Sequence, residues 1–200
     1  MAIRTFVAIP IPAAWEEYLA GVSRELAGLV QGVSWVRPGN LHLTVRFLGD
    51  LGESGTARVG DAVARGADGF EAPLAELGRF GGFPTLDRPR VLWIGISRGE
   101  PELLALGRRV NAAIDAAGFD RADKPFRPHL TLGRVREGAQ GLGALRGYAP
   151  PPPPPPAAAL LDRIVVMKSD LHPSGSRYTA LREVRLPPPR RGEDPGAGDT

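Results

Sequence analysis

Leu41-His42-Leu43-Thr44-Val45-Arg46-Phe47-Leu48 is written in alternating chemistry, and His129-Leu130-Thr131-Leu132-Gly133-Arg134-Val135 opens the same way 87 residues later. Successive side chains of a strand point to opposite faces. His42, Thr44 and Arg46 are therefore expected on one face, and Leu43, Val45 and Phe47 on the other. The apolar face suits a core. The remaining face gathers a proton-transfer group, a hydroxyl and a cation on one strand, and His129 with Thr131 repeats the arrangement. The chain has three histidines and seven threonines. A chance Thr two positions after two of the three histidines is then roughly a 1 in 280 event, before the shared Leu is counted.

Outward from these strands, the pattern alternates between periods of two and of three to four. Residues 4–9 are β-branched and aromatic and predict a first strand, ended by Pro10 and Pro12. Trp15, Leu19, Val22, Leu26 and Leu29 line one face of a helix over residues 13–30. A short strand is expected at residues 34–37, a second helix at 54–67 and an extended, glycine-interrupted segment at 71–82. Residues 90–96 predict another strand, and residues 101–117 a third helix that Gly118 stops. Strands at 129–135, 160–167 and 178–184 complete the chain. Trp35 and Trp93 read as core, and Asp87-Arg88-Pro89-Arg90 as a turn. The second half is a loose echo of the first, which predicts an α+β fold of two similar lobes facing each other.

Two segments fall outside this scheme. Residues 150–156 are an uninterrupted proline run, expected as a polyproline II connector on the surface. A partner that recognises proline is the alternative use of the run. Residues 187–200 are rich in Pro, Gly and charge, and are expected to be a disordered tail. Residues 1–186 then form a single bilobal domain.

Composition narrows the chemistry. The net charge is +3 and nearly all the cations are arginine, Lys124 and Lys168 being the only lysines. That permits an anionic ligand without the charge density of a duplex-coating protein. The absence of cysteine excludes disulfides, thiolate zinc sites and cysteine nucleophiles. No stretch is long and apolar enough to span a membrane, and the N-terminus reads as a strand, so a cytoplasmic monomer is expected.

Two imidazoles brought together by related strands suit in-line displacement at phosphorus. One nitrogen deprotonates the attacking oxygen while another protonates the leaving oxygen on the opposite side, and imidazole can do either near neutrality. The hydroxyls of Thr44 and Thr131 suit the non-bridging oxygens. Arg46 is either a further phosphate contact or a solvated arginine. Which histidine is the acid, the residues alone leave open. A zinc site from His42, His129 and His172 is disfavoured because no carboxylate or cysteine accompanies them at ligand spacing. His172 reads as a loop residue.

The chain resembles the 2H phosphoesterases, named for two His-x-Thr-x motifs, and among them the RNA 2',3'-cyclic phosphodiesterases once described as 2'-5' RNA ligases. The resemblance spans about residues 4–186. It rests on both motifs, on RTFVAIP at the N-terminus, NLHLTVRFLG at 40–49, RVLWIG at 90–95, KPFRPHLTLGR at 124–134 and SGSRYTAL at 174–181. It implies a two-lobed fold of mostly antiparallel sheets backed by helices, with an open groove between the lobes. It also implies hydrolysis of RNA-terminal 2',3'-cyclic phosphates to 2'-phosphates without metal or other cofactor. His42 would be the proton donor to the 3'-oxygen and His129 the acceptor from water. Arg134 matches a substrate-contacting arginine, and strict alternation would turn it away from His129 unless a bulge intervenes near Gly133. Relatives often carry a second aromatic on the first strand; here Val7 lies beside Phe6, leaving Phe6 as the candidate for base stacking. The same residues could run the reaction backward as a 2'-5' ligase, or bind RNA ends without turning them over.

Overall fold

Trp15, Leu19, Val22 and Leu26 are all buried on one side of helix α1 (Ala13–Leu29), as their spacing of three and four requires. In the computed structural model, which describes residues 2–172 and 175–190, this helix follows strand β1 (Ile3–Pro10). Strands β2 (Gln31–Trp35) and β3 (His42–Leu51), helix α2 (Glu53–Ala67) and strands β4 (Leu74–Phe83) and β5 (Val91–Arg98) come next. Helix α3 (Glu100–Ala116), strand β6 (His129–Gln140), a 3-10 turn at Leu142–Gly147 and strands β7 (Ala158–Leu160), β8 (Arg163–Asp170) and β9 (Arg177–Arg185) follow.

All strands belong to one sheet in the order β7-β4-β5-β6-β3-β1-β8-β9, with β2 also paired to β6, and every pairing is antiparallel. The two halves meet at the pair Leu43–Leu130, whose side chains are fully buried. Beyond that pair β2 takes over as the partner of β6 through Trp35–Gly133 and onward. The sheet therefore curls at β3–β6, giving the expected lobes on either side. Neither lobe is a contiguous half of the chain: β3 pairs with β1, β1 with the late strand β8 and β8 with β9, while β2 joins β4–β7. The helices cross over as well. Helix α1 packs against β2 and β6, whereas α2 and α3 pack on each other, with α2 against β1, β3, β8 and β9.

Several boundaries move. The strand expected at 34–37 begins at Gln31, directly after α1, and the strand expected at 160–167 divides into β7 and β8. The first residues of the expected tail are exposed but held to the domain: the Pro187 carbonyl accepts from the Ala72 amide at 2.7 Å, and the exposed Arg190 pairs with Glu71 at 3.5 Å. Residues 191–200 lie outside the described residues. The proline run is mostly exposed, with a cis bond at Pro155–Pro156, and its Pro151 carbonyl accepts the Tyr18 hydroxyl. Among the described residues no helix is long and apolar enough to cross a membrane.

Candidate active site

Each histidine is the first residue of its strand, and each strand carries a bulge at the same place. On β3, Ala8 faces Thr44 while Val7 faces Arg46, so Val45 is the extra residue. On β6, Trp93 faces Thr131 while Leu92 faces Gly133, so Leu132 is the extra residue. A bulge inverts the alternation downstream of it. Val45 and Arg46 are consequently both buried, as are Leu132 and Gly133, and Phe47 and Arg134 emerge exposed. Gly133 is required here: a Cβ would stand 2.6 Å from Val33 Cγ1 and 2.9 Å from the Trp35 ring.

The bulge overturns the expected place of Arg46. Its side chain leaves the His42–Thr44 face and is only 3% exposed. The guanidinium pairs with Asp115 at 2.6 Å and donates to the carbonyls of Asn111 and Asp120, near the end of α3. It ties the strand to that helix and has no access to a ligand in the groove. Phe47, read from the sequence as core, is instead 59% exposed. Phe6 is corrected too. At 1% exposure it has no face for a base, and its ring lies 5.0 Å from that of His42, 4.9 Å from Tyr178 and 5.7 Å from Phe47.

His42 and Thr44, and His129 and Thr131, keep their shared faces. Extending the antiparallel register from Leu43–Leu130 sets His42 across from Thr131 and Thr44 across from His129. The two histidines are then diagonal neighbours, which in a regular sheet puts their α-carbons roughly 7–8 Å apart. Each imidazole is held in the same way. His42 Nδ1 lies 2.8 Å from the Asn40 carbonyl and His129 Nδ1 2.7 Å from the Arg127 carbonyl. A carbonyl only accepts, so Nδ1 carries the proton and Nε2 is left for a ligand. Aromatic rings brace both: Tyr178 stands edge-on to His42 at 5.3 Å, and Phe83 edge-on to His129 at 5.1 Å. No spacing in the sequence links Tyr178 or Phe83 to the two motifs, although Tyr178 lies within the SGSRYTAL stretch.

The environments differ in charge. Burial is the main influence lowering the pKa of both imidazoles, partly offset by the hydrogen bond to each carbonyl. For His42 the remaining influence is His129 itself; for His129 it is the positive charge of Arg134 and Arg127. Arg134 thus acts on His129, whereas its counterpart beside His42 is the uncharged Phe47. Beside His129 the groove deepens into a cavity of about 610 Å³ whose lining includes Arg79, Trp93, Ser97, Glu100 and Arg127. Trp93, expected in the core, faces this cavity. Its ring lies against the backbone at Gly81, where a Cβ would come within 2.3 Å of it. Among the described residues no group of three or more His, Cys, Asp or Glu could hold a metal ion.

A curled antiparallel sheet that offers one His-x-Thr strand from each half defines the 2H phosphoesterase class. The sequence profile of the 2'-5' RNA ligase superfamily matches residues 14–173. An RNA 2',3'-cyclic phosphodiesterase of Archaeoglobus fulgidus is 38% identical over 134 residues, which cover 67% of this chain and 73% of that protein. One of the same name from Methanothermobacter thermautotrophicus is 28% identical over 189 residues, 93% and 100% of the two chains. The crystal structure of E. coli LigT in apo form matches with a TM-score of 0.72 at 23% identity, over 93% of this chain and 98% of that one. The chain belongs to the 2'-5' RNA ligase superfamily.

Proposed function

We propose that the protein hydrolyses the 2',3'-cyclic phosphate at RNA ends to a 2'-phosphomonoester, with His42 as general acid and His129 as general base. The observation that carries this reading is the matched pair of imidazoles, each fixed through Nδ1 and each with Nε2 left over, on adjacent strands. The names of the relatives from Archaeoglobus fulgidus and Methanothermobacter thermautotrophicus support the substrate class.

The charges around the rings support the division of labour. Arg134 and Arg127 disfavour a second positive charge on His129, which favours its neutral form. Neutral Nε2 accepts a proton from water, whose oxygen attacks phosphorus opposite the 3'-oxygen. His42, with no arginine acting on it, gives its Nε2 proton to the departing 3'-oxygen. The P–O3' bond breaks, the phosphate stays on O2', and solvent exchange returns the proton from His129 to His42. Thr44 and Thr131 hydroxyls donate to the non-bridging oxygens, and Arg134 offsets the charge that grows there.

Ligation uses the same groups with an RNA 5'-hydroxyl in place of water, but water at about 55 M favours hydrolysis unless the groove excludes it. The test is digestion of an RNA ending in a 2',3'-cyclic phosphate in EDTA, with and without a 5'-hydroxyl partner. The expected product is a 2'-phosphate, assigned by phosphorus NMR, at an EDTA-independent rate. Joined products, a 3'-phosphate or unchanged substrate would each overturn the proposal.

A further inference from the structure

The two imidazoles are held alike at the ring and differently one peptide further back. His42 Nδ1 donates to the Asn40 carbonyl, which shares its peptide unit with the Leu41 amide. His129 Nδ1 donates to the Arg127 carbonyl, whose peptide unit ends on the nitrogen of Pro128. Proline has no N–H. Only the peptide behind His42 therefore carries a donor by which it can be anchored.

That donor is taken by Glu16, in the first turn of α1. One carboxylate oxygen accepts from the Leu41 amide at 3.2 Å, the other from the Gly39 amide at 3.0 Å. The two bonds straddle Asn40. The Asn40 amide closes a turn on the Arg37 carbonyl at 3.0 Å, and its side-chain amide donates to the Ser176 carbonyl at 2.9 Å. Every backbone amide of residues 39–41 thus has a fixed acceptor. The fold brings the carboxylate here because Pro10, at the end of β1, pairs with His42, and α1 begins three residues later. Trp15, 3% exposed, and the fully buried Leu19 anchor the helix in the core around Glu16. Glu16 itself is half-buried, and it pairs with no cation among the described residues. Burial raises its pKa, and the two amides work against that rise by favouring the charged form.

A trans peptide is planar, with its C=O and N–H pointing in opposite directions. Fixing the Leu41 N–H on a carboxylate therefore aims the Asn40 carbonyl at His42. A negative group at one end of a hydrogen-bond chain also polarises it and strengthens the bond at the far end. We infer that Glu16 is a positioning residue for His42: through the Asn40–Leu41 peptide it holds the ring on its Nδ1 proton and favours the cationic form. This rests on the phosphodiesterase reading for the role of His42 as acid and adds to it the group that prepares that acid. Glu16 touches no reacting atom and takes up no proton. His42 gives its Nε2 proton to the 3'-oxygen, and Nδ1 keeps its own throughout. Pro128 denies the same device to His129, which suits a ring that must start neutral. The titratable groups that face His42 are His129 from β6 and Tyr178 from β9, and neither is a carboxylate.

The experiment titrates both rings by NMR in the free wild-type protein, in Glu16→Gln and in Glu16→Asp, beside pH profiles of kcat/KM on cytidine 2',3'-cyclic phosphate. Glutamine keeps the shape of the side chain, loses the charge and can accept through one oxygen only. Glu16→Gln should lower the pKa of His42 by about half a pH unit or more, with a smaller change at His129. The basic limb of kcat/KM should move down with it, a loss of about threefold or more on that limb. Glu16→Asp, one methylene shorter with the charge kept, should recover part of both effects. A His42 titration unchanged in Glu16→Gln, equal shifts in the two rings, or a fall in Tm with neither limb moved would overturn the positioning role and leave the phosphodiesterase reading in place. Absence of hydrolysis in the wild type would overturn that reading, while the NMR titrations still decide whether Glu16 acts on His42.

Discussion

Phe47 and Arg134 occupy the same position on related strands: each lies five residues after a groove histidine, just past a bulge, and each is exposed. One is an aromatic ring and the other a cation. The fold thus supplies two nearly equivalent imidazoles, and the residue behind each bulge makes them unequal. The arginine acts on His129 and opposes its protonation. The ring of Phe47 meets Phe6, which in turn meets His42.

Removal of either imidazole should cripple turnover without unfolding the protein. His42→Ala and His129→Ala are each expected to lower kcat by about 10²–10⁴-fold, the usual value of a positioned acid or base. The double variant should lose far less than the product of the two, because the pair acts as a unit. Steady-state kinetics alongside circular dichroism checks this, and full activity in either variant removes that histidine from the mechanism.

The pH profile follows from the lowered pKa of both rings. In the free enzyme His129 must be neutral, a condition lost as pH falls through its lowered pKa. His42 must be protonated, and that is lost as pH rises through a pKa that is also below 6.5. The maximum of kcat/KM is therefore expected on the acid side of 6.5. A bound anion favours protonated His42, so the basic limb of kcat should lie at higher pH than that of kcat/KM. An optimum of kcat/KM above about pH 8 would be incompatible with these two imidazoles as the titrating groups.

Arg46→Ala should act on stability. It strips a buried cation from Asp115 and from two carbonyls. Asp115 is 34% exposed, so water can take over part of the lost pairing. A loss of about 2–3 kcal/mol is expected, and thermal unfolding should fall by roughly 5–10 °C for a chain of this size. Activity measured well below the transition should drop by less than tenfold. A kinetic loss as deep as that of the histidine variants, with an unchanged Tm, would return Arg46 to phosphate contact.

Phe47→Ala should show the opposite division. The side chain is 59% exposed, so stability should change by no more than about 0.5 kcal/mol. If a base stacks on the ring, KM should rise by about 5-fold or more, since such stacking is worth about 1–3 kcal/mol. Phe47→Tyr should restore it, because a phenol offers the same face. An unchanged KM in Phe47→Ala places the base elsewhere.

Much of the architecture is local and was legible in the residues. Trp15, Leu19, Val22 and Leu26 mark α1 by spacing alone, and Leu103, Leu106, Val110 and Ile114 do the same for α3. His42 with Thr44, and His129 with Thr131, share a face because alternation needs only neighbouring residues. A bulge depends instead on how a strand is paired. The sequence leaves Arg46 and Phe47 on opposite faces, and only the pairing of β3 with β1 decides which of them meets the groove. Gly133 signalled a bulge in β6; Val45 and Arg46 carried no such mark in β3. The exchange of strands between the lobes, the rings that brace each imidazole and the arginine charge on His129 join residues far apart in sequence. No local pattern encodes those contacts, because they exist only once the sheet has closed at Leu43 and Leu130.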